Sequence, residues 1–308
     1  MKFLYLLESI RFPALDKLML LVTHLGEETA FLVIALIVFW CVNKYHGYYL
    51  LGVGLFGNLA NQFMKITCRI PRPWVRDPDF TVVEAAKAEA GGYSFPSGHT
   101  QTAVGTLCAV AAAQKRKWIG AVCVALAVLT AFSRLYLGVH TPADVLVGSA
   151  MALGMVFGLK PLMQEKRKRF IPIVFGIMLL LSAGFLAYLE LFPFPADLDG
   201  DNYASAIKNA YTFLGCFAGV LVVYAVDETR LHFTTKAVWW AQILKAVLGL
   251  AVVLLVKEGL RSPLEAIIGN IMIARAVRYF LIVVAAGILW PLTFRWFSKF
   301  GAKKEKVS

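Results

Sequence analysis

Residues 117–144 read KWIGAVCVALAVLTAFSRLYLGVHTPAD. The run 118–136 is apolar enough to cross a bilayer, which takes about 20 such residues. Yet Ser133 and Arg134 sit inside it, and His140 and Asp144 follow within a turn or two of its end. Ionisable groups at membrane depth are costly and usually mark a function. This one stretch therefore points to a membrane helix that ends in a charged site.

The same alternation of apolar run and short polar loop recurs on both sides. Apolar runs fall at 29–43, 47–66, 100–114, 143–160, 171–189, 209–226, 237–256 and 277–297. With 118–136 they predict an all-α, polytopic membrane helix bundle of about nine transmembrane helices. Composition agrees. The 308 residues are 59% hydrophobic and only 16% charged, where soluble domains carry roughly 25% charged residues. Mean hydropathy is +0.68. The net charge of +12 would favour nucleic acid in a soluble protein. Here the basic residues lie mostly in short loops, as orientation in a membrane requires, and no nucleic-acid partner is expected. Cys41, Cys68, Cys108, Cys123 and Cys216 form no CxxC pair, so they read as small core residues rather than a disulfide or zinc framework.

Residues 3–24 are apolar but interrupted by Glu8, Arg11, Pro13, Asp16 and Lys17. They read as interfacial or partly inserted, and without a clean apolar core or a small-residue cleavage site they do not read as a cleaved signal. Two polar connections are long, 67–96 and 190–206. Long connections without periodicity are usually functional. In the second, Asp197, Asp199 and Asp201 are spaced like the start of a calcium loop, but the closing glutamate is missing.

Three short segments concentrate the chemistry. Lys65 closes one apolar run, and Arg72 follows between Pro71 and Pro73. A lysine offers a point charge and an arginine a planar fork. With Arg134 they can form a three-cation cage for a phosphoryl group, whose charge spreads over three oxygens as it transfers. Pro96-Ser97-Gly98-His99 opens the run beginning near Thr100. Free N–H groups in a first helical turn bind anions, and glycine lets a phosphate approach the backbone. The Ser97 hydroxyl adds a donor, and His99 is placed to protonate a leaving alkoxide. His140 and Asp144 are four apart with Pro142 between them, a spacing that lets a carboxylate fix the imidazole tautomer and free the other nitrogen to attack. Each segment alone has a bland reading as a helix cap or a membrane anchor; their coincidence does not.

In order, KxxxxxxRP, PSGH and SRxxxxxHxxxD resemble the signature of the type 2 phosphatidic acid phosphatase superfamily, over residues from about 29 to 160. That group includes lipid phosphate phosphatases, polyprenyl pyrophosphate phosphatases and glucose-6-phosphatases. The resemblance implies that Lys65, Arg72, Ser97, Gly98 and Arg134 bind phosphate, that His99 protonates the leaving group, that His140 becomes phosphorylated and that Asp144 orients it. It implies a six-helix phosphatase core, placed at 1–170, with 171–308 adding C-terminal transmembrane helices to the same membrane domain.

The expected function is hydrolysis of a lipid phosphate or polyprenyl pyrophosphate through a phosphohistidine, without metal or cofactor. A soluble sugar phosphate is the runner-up substrate, and a lipid-linked phosphotransferase and an anion transporter are the rival activities. The expected partners are the phosphorylated lipid or small phosphoester and the surrounding membrane lipids. Basic loops at 114–117 and 160–169 and the basic C-terminus, with Lys299, Lys303, Lys304 and Lys306, predict a cell-membrane protein whose active site faces away from the cytoplasm.

Overall fold

In a computed structural model the described residues are 1–195 and 198–300, apart from the side chain of Glu89. Asp197 of the acidic loop and Lys303, Lys304 and Lys306 lie outside them. Among the described residues there is no strand, and every expected apolar run is helical.

The helices are α1 (Lys2–Ser9), α2 (Pro13–Thr23), α3 (Glu28–Ile37), α4 (Lys44–Cys68), α5 (Pro73–Arg76), α6 (Glu84–Glu89), α7 (Gly98–Ala113), α8 (Lys117–Tyr136) and α9 (Pro142–Leu159). Then come α10 (Phe170–Leu191), α11 (Gly200–Val226), α12 (Trp239–Gly259), α13 (Arg261–Ile268), α14 (Ile271–Val284) and α15 (Phe294–Phe297). Six helical segments are long and apolar enough to span a membrane by themselves: α8, α9, α10, Gly200–Leu231, Trp239–Ile268 and Ile271–Phe297. A seventh candidate is a bent pair, Pro13–Gly26 with Glu28–Val42, broken by 53°.

The difference from about nine spans has a physical cause. Helix α7 has 16 residues, about 24 Å of rise, and buries Thr100, Gln101, Thr102 and Thr106. Helix α4 carries Asn58, Asn61, Gln62 and Lys65. Both also carry candidate site residues, Lys65 on α4 and Gly98 and His99 on α7, and their polar side chains lower their hydropathy. Elsewhere the outward residues are apolar, such as Leu146 at 68% and Leu180 at 73% exposure, a face suited to lipid rather than water. The chain is an all-α polytopic membrane protein.

The helices sort into two compact units. One comprises Met1–Ile34, Tyr49–Leu162 and Ala187–Asn209; the other comprises Ala35–Tyr48, Met163–Leu186 and the chain from Ala210 onward. In the first, Val104, Leu107, Cys123, Ala127 and Ala152 form one buried cluster among α7, α8 and α9. A second cluster of Met19, Ala86, Ala90, Tyr136, Leu137 and Val139 ties α2 and α6 to the end of α8. The second unit is pinned by buried polar groups. Trp40 Nε1 donates to Ala286 O at 2.9 Å. Lys44 Nζ meets Asp227 Oδ2 at 2.6 Å, and Asp227 Oδ1 accepts from Phe233 N at 3.0 Å.

Candidate active site

Local sequence signals deliver each site residue. Helix α8 stops at Tyr136, and Gly138 then adopts φ +81°, a left-handed value that favours glycine. A Cβ there would also stand 2.6 Å from an Arg11 nitrogen. The turn reverses the chain and ends on His140, which directly precedes Thr141, the N-cap of α9. Helix α9 starts with a capping box: Thr141 Oγ1 accepts from Asp144 N, and Asp144 Oδ2 accepts from Thr141 N at 2.7 Å, with Pro142 at the first helical position. The cap and the catalytic reading of Asp144 are therefore not alternatives, because the cap fixes the carboxylate's orientation. Ser97 caps α7, accepting from Thr100 N, and Ser97 N donates to Asp144 O at 3.0 Å. That bond brings the second and third segments together.

His140 is 1% exposed and Asp144 likewise. The ring stands between two groups of opposite kind. Arg72 Nη1 donates to Nε2 at 2.9 Å, and Nδ1 lies 3.5 Å from Asp144 Oδ2. Burial, then the charges of Arg72, Arg134, Lys65 and His99, push the imidazole well below its ordinary range. Because Arg72 Nη1 can only donate, Nε2 is the accepting nitrogen, which leaves the ring proton to Nδ1.

Arg72 is held by carbonyls. Nε donates to Gly92 O at 2.9 Å, Nη2 to Gly91 O at 2.7 Å and Nη1 to Val139 O at 2.9 Å. Lys65, in the last turn of α4, donates from Nζ to Tyr93 O at 2.5 Å. Arg134 is fully buried, and its Nη1 donates to Thr23 Oγ1 at 2.6 Å. His99 follows Gly98 in the first turn of α7. A Cβ on Gly26 would stand 2.6 Å from His99 O, so the turn 24–26 is packed directly on it. At Gly98 a Cβ would meet only Asn61 Oδ1, at 3.5 Å, which is ordinary contact. Packing alone does not demand that glycine.

Thus all eight residues singled out in the sequence lie in the first unit, and contacts join Arg72, His140, Asp144 and Ser97 directly. Sequence reading missed Ser94, which touches both His140 and Asp144, and Thr23, which takes a bond from Arg134. Among the described residues no group of three or more His, Cys, Asp or Glu side chains is arranged to hold a metal ion.

Phosphatidylglycerophosphatase B of Bacillus subtilis (strain 168) is 31% identical over 176 residues, which is 52% of this chain and 81% of that protein. Undecaprenyl-diphosphatase BcrC of Bacillus subtilis (strain 168) is 33% identical over 150 residues, 46% of this chain and 73% of that protein. No solved structure matches the chain. The membrane helices and these relatives define an integral membrane phosphatase, a hydrolase of phosphoric esters or pyrophosphates. A profile described as PAP2 superfamily matches residues 45–168, and one described as PAP2 superfamily phosphatase, transmembrane extension, matches 211–304. The chain belongs to the PAP2 superfamily, as the three motifs implied.

Proposed function

We propose that the protein hydrolyses a lipid phosphate or polyprenyl pyrophosphate by two in-line displacements on His140. The observation that supports this best is the polarity of the His140 ring, with Arg72 on Nε2 and Asp144 behind Nδ1. Nε2 attacks phosphorus, and the P–O bond to the leaving group breaks. His99 gives its proton to the departing oxygen, while Nδ1–H and Asp144 stabilise the positive ring. Water then attacks the phosphohistidine, His99 takes a proton from it, and the N–P bond electrons return to Nε2. Lys65, Arg72, Arg134, Ser97 and the backbone at Gly98 hold the three equatorial oxygens. Residues 1–170 carry this chemistry, and 171–308 accompany it within the membrane.

A site between membrane helices supports a lipid substrate, as do the names of the two relatives. A long-chain phosphate is expected to be cleaved with at least about 100-fold higher kcat/KM than a water-soluble ester of the same headgroup. Each buried methylene adds roughly 0.8 kcal/mol, so about four suffice. A phosphate-release screen over lipid phosphates, polyprenyl pyrophosphates and sugar phosphates tests it. Equal efficiency on a free sugar phosphate would replace this substrate class with the runner-up.

Three cations in the site serve the role that a divalent ion serves in many phosphatases. Turnover is therefore expected to persist in excess chelator, and vanadate to inhibit by adopting the five-coordinate form of the transition state. An absolute need for added magnesium or zinc would contradict this account.

The proposed location is the cell membrane with the site outside the cytoplasm. Counting spans from the basic loops 114–117 and 160–169 puts Lys65, His99 and His140 on the opposite face. A single cysteine at Glu84 is expected to react with an impermeant thiol reagent on intact cells, and one at Lys166 is not. Cys68 is exposed and must be replaced first. The reverse labelling pattern would place the site in the cytoplasm.

A further inference from the structure

His140 and Asp144 are not within ordinary hydrogen-bond reach. Nδ1 and Oδ2 are 3.5 Å apart, where N–H···O bonds run to about 3.2 Å. A third side chain stands at both groups. Ser94 is fully buried. Its Oγ donates to Asp144 Oδ2 at 2.5 Å and lies 3.5 Å from His140 Nδ1. Its own backbone is fixed, since Ser94 N donates to Ile70 O at 2.7 Å. That bond joins the segment leading to Ser97 with the segment leading to Arg72.

A hydroxyl has one proton and two lone pairs. The Ser94 proton is committed to Asp144, so the oxygen can only accept from the ring. Nδ1 therefore faces two acceptors, Asp144 Oδ2 and Ser94 Oγ, and no donor. On the other side Nε2 faces a donor, Arg72 Nη1. Both sides specify the same tautomer, the one with the free lone pair on Nε2. Asp144 Oδ2 also accepts from Thr141 N, so the carboxylate stays anchored to α9 whether or not the serine hydroxyl is present.

We propose that Ser94 is a positioning residue for phosphoryl transfer, holding Asp144 Oδ2 and the Nδ1 proton of His140 in register so that Nε2 is presented to phosphorus. The inference rests on His140 being the nucleophile. The Ser94 hydroxyl faces Asp144 and His140, the groups that make the bond to phosphorus, so its loss acts on bond-making rather than on the capture of phosphate.

The test uses the purified full chain with a polyprenyl pyrophosphate as substrate and inorganic phosphate and orthovanadate as inhibitors. In Ser94→Ala, kcat is expected to fall on the order of 10–100-fold, the range for partners that orient a reacting ligand from behind. KM and phosphate inhibition are expected to stay within about threefold of wild type, on the ground that uniform binding is untouched. Vanadate inhibition is expected to weaken in step with kcat, because vanadate takes the imidazole nitrogen as a fifth ligand and phosphate does not. A kcat within about twofold of wild type would overturn the proposal. So would parallel loss of phosphate inhibition or of phosphate binding altogether, either of which marks a structural role. His140→Ala is assayed beside it. An active His140→Ala sinks the nucleophile reading itself, whereas an inactive His140→Ala with a fully active Ser94→Ala sinks only the role of Ser94.

Discussion

Replacing His140 with alanine is expected to lower kcat by at least about 10⁴-fold while the protein still folds, a loss of the size seen when covalent nucleophiles are removed. Removing the imidazole deletes one acceptor from Arg72 but leaves it three carbonyls, Gly91, Gly92 and Val139. Asp144 keeps its bonds to Ser94 and Thr141. The site is thus able to close around the lost ring. His140→Asn provides the sharper control, because it returns an amide oxygen for Arg72 without an attacking nitrogen, and it is expected to be equally inactive. The pH profile carries the same reading. Burial and the surrounding cations lower the His140 pKa, so the free base persists as pH falls through the ordinary histidine range near about 6.5. The acid loss of kcat/KM due to this group is expected below that range, not at it. Stopped or steady-state phosphate release on the two variants decides the matter. Activity near wild type in either would remove His140 from the mechanism.

How much of this was visible in the chain depends on whether the signal was local. Thr141-Pro142-Ala143-Asp144 announces a helix start on its face, and the capping box is there. Pro96-Ser97-Gly98 does the same for α7. The eight candidate residues were legible because three motifs, each tied to a helix end, name them. Ser94 was not, because it lies in a connection with no periodicity, and only the fold brings that connection to Asp144, 50 residues on. Nor was Thr23, at the end of a stretch that reads as merely interfacial. Its partner Arg134 is 111 residues away, and nothing in either sequence neighbourhood specifies the other. The helix count shows the same limit in reverse. Hydropathy finds the runs in α4 and α7, but it cannot tell that their Asn58, Asn61 and Gln101 are buried inward, where polar groups lower a helix's mean hydropathy without facing lipid. Gly98 is the instructive glycine. Packing explains Gly26 and Gly148, whose added Cβ atoms would stand 2.6 Å and 2.8 Å from backbone oxygens. It does not explain Gly98, where a Cβ would make only ordinary contact with Asn61, and the phosphate role proposed for that glycine is what a Gly98→Ala variant would test.

Arg72→Lys is the second large effect expected, a fall in kcat/KM of about 10²–10³, comparable to removing a dedicated donor to a developing oxyanion. The charge is conserved, so a purely Coulombic account of the cation set predicts little change. The geometry predicts otherwise. Arg72 makes four bonds from three nitrogens, and they tie together three segments: its own loop, Gly91–Gly92, and the turn carrying Val139 and His140. A lysine presents one nitrogen with a compact, strongly hydrated charge and no fixed plane. It can keep one or two of those partners, so either the 91–92 segment or the His140 turn loses its brace. The cost falls where Nε2, the Lys65 ammonium held at the Tyr93 carbonyl and the Ser97 cap must meet one phosphoryl group within tenths of an ångström. Kinetics against phosphate inhibition separates the two accounts. Loss of kcat with weakened phosphate inhibition follows if the fork both braces the loops and binds the oxygens. A variant within about tenfold of wild type would show that a point charge suffices and that the loops need no brace from this side chain.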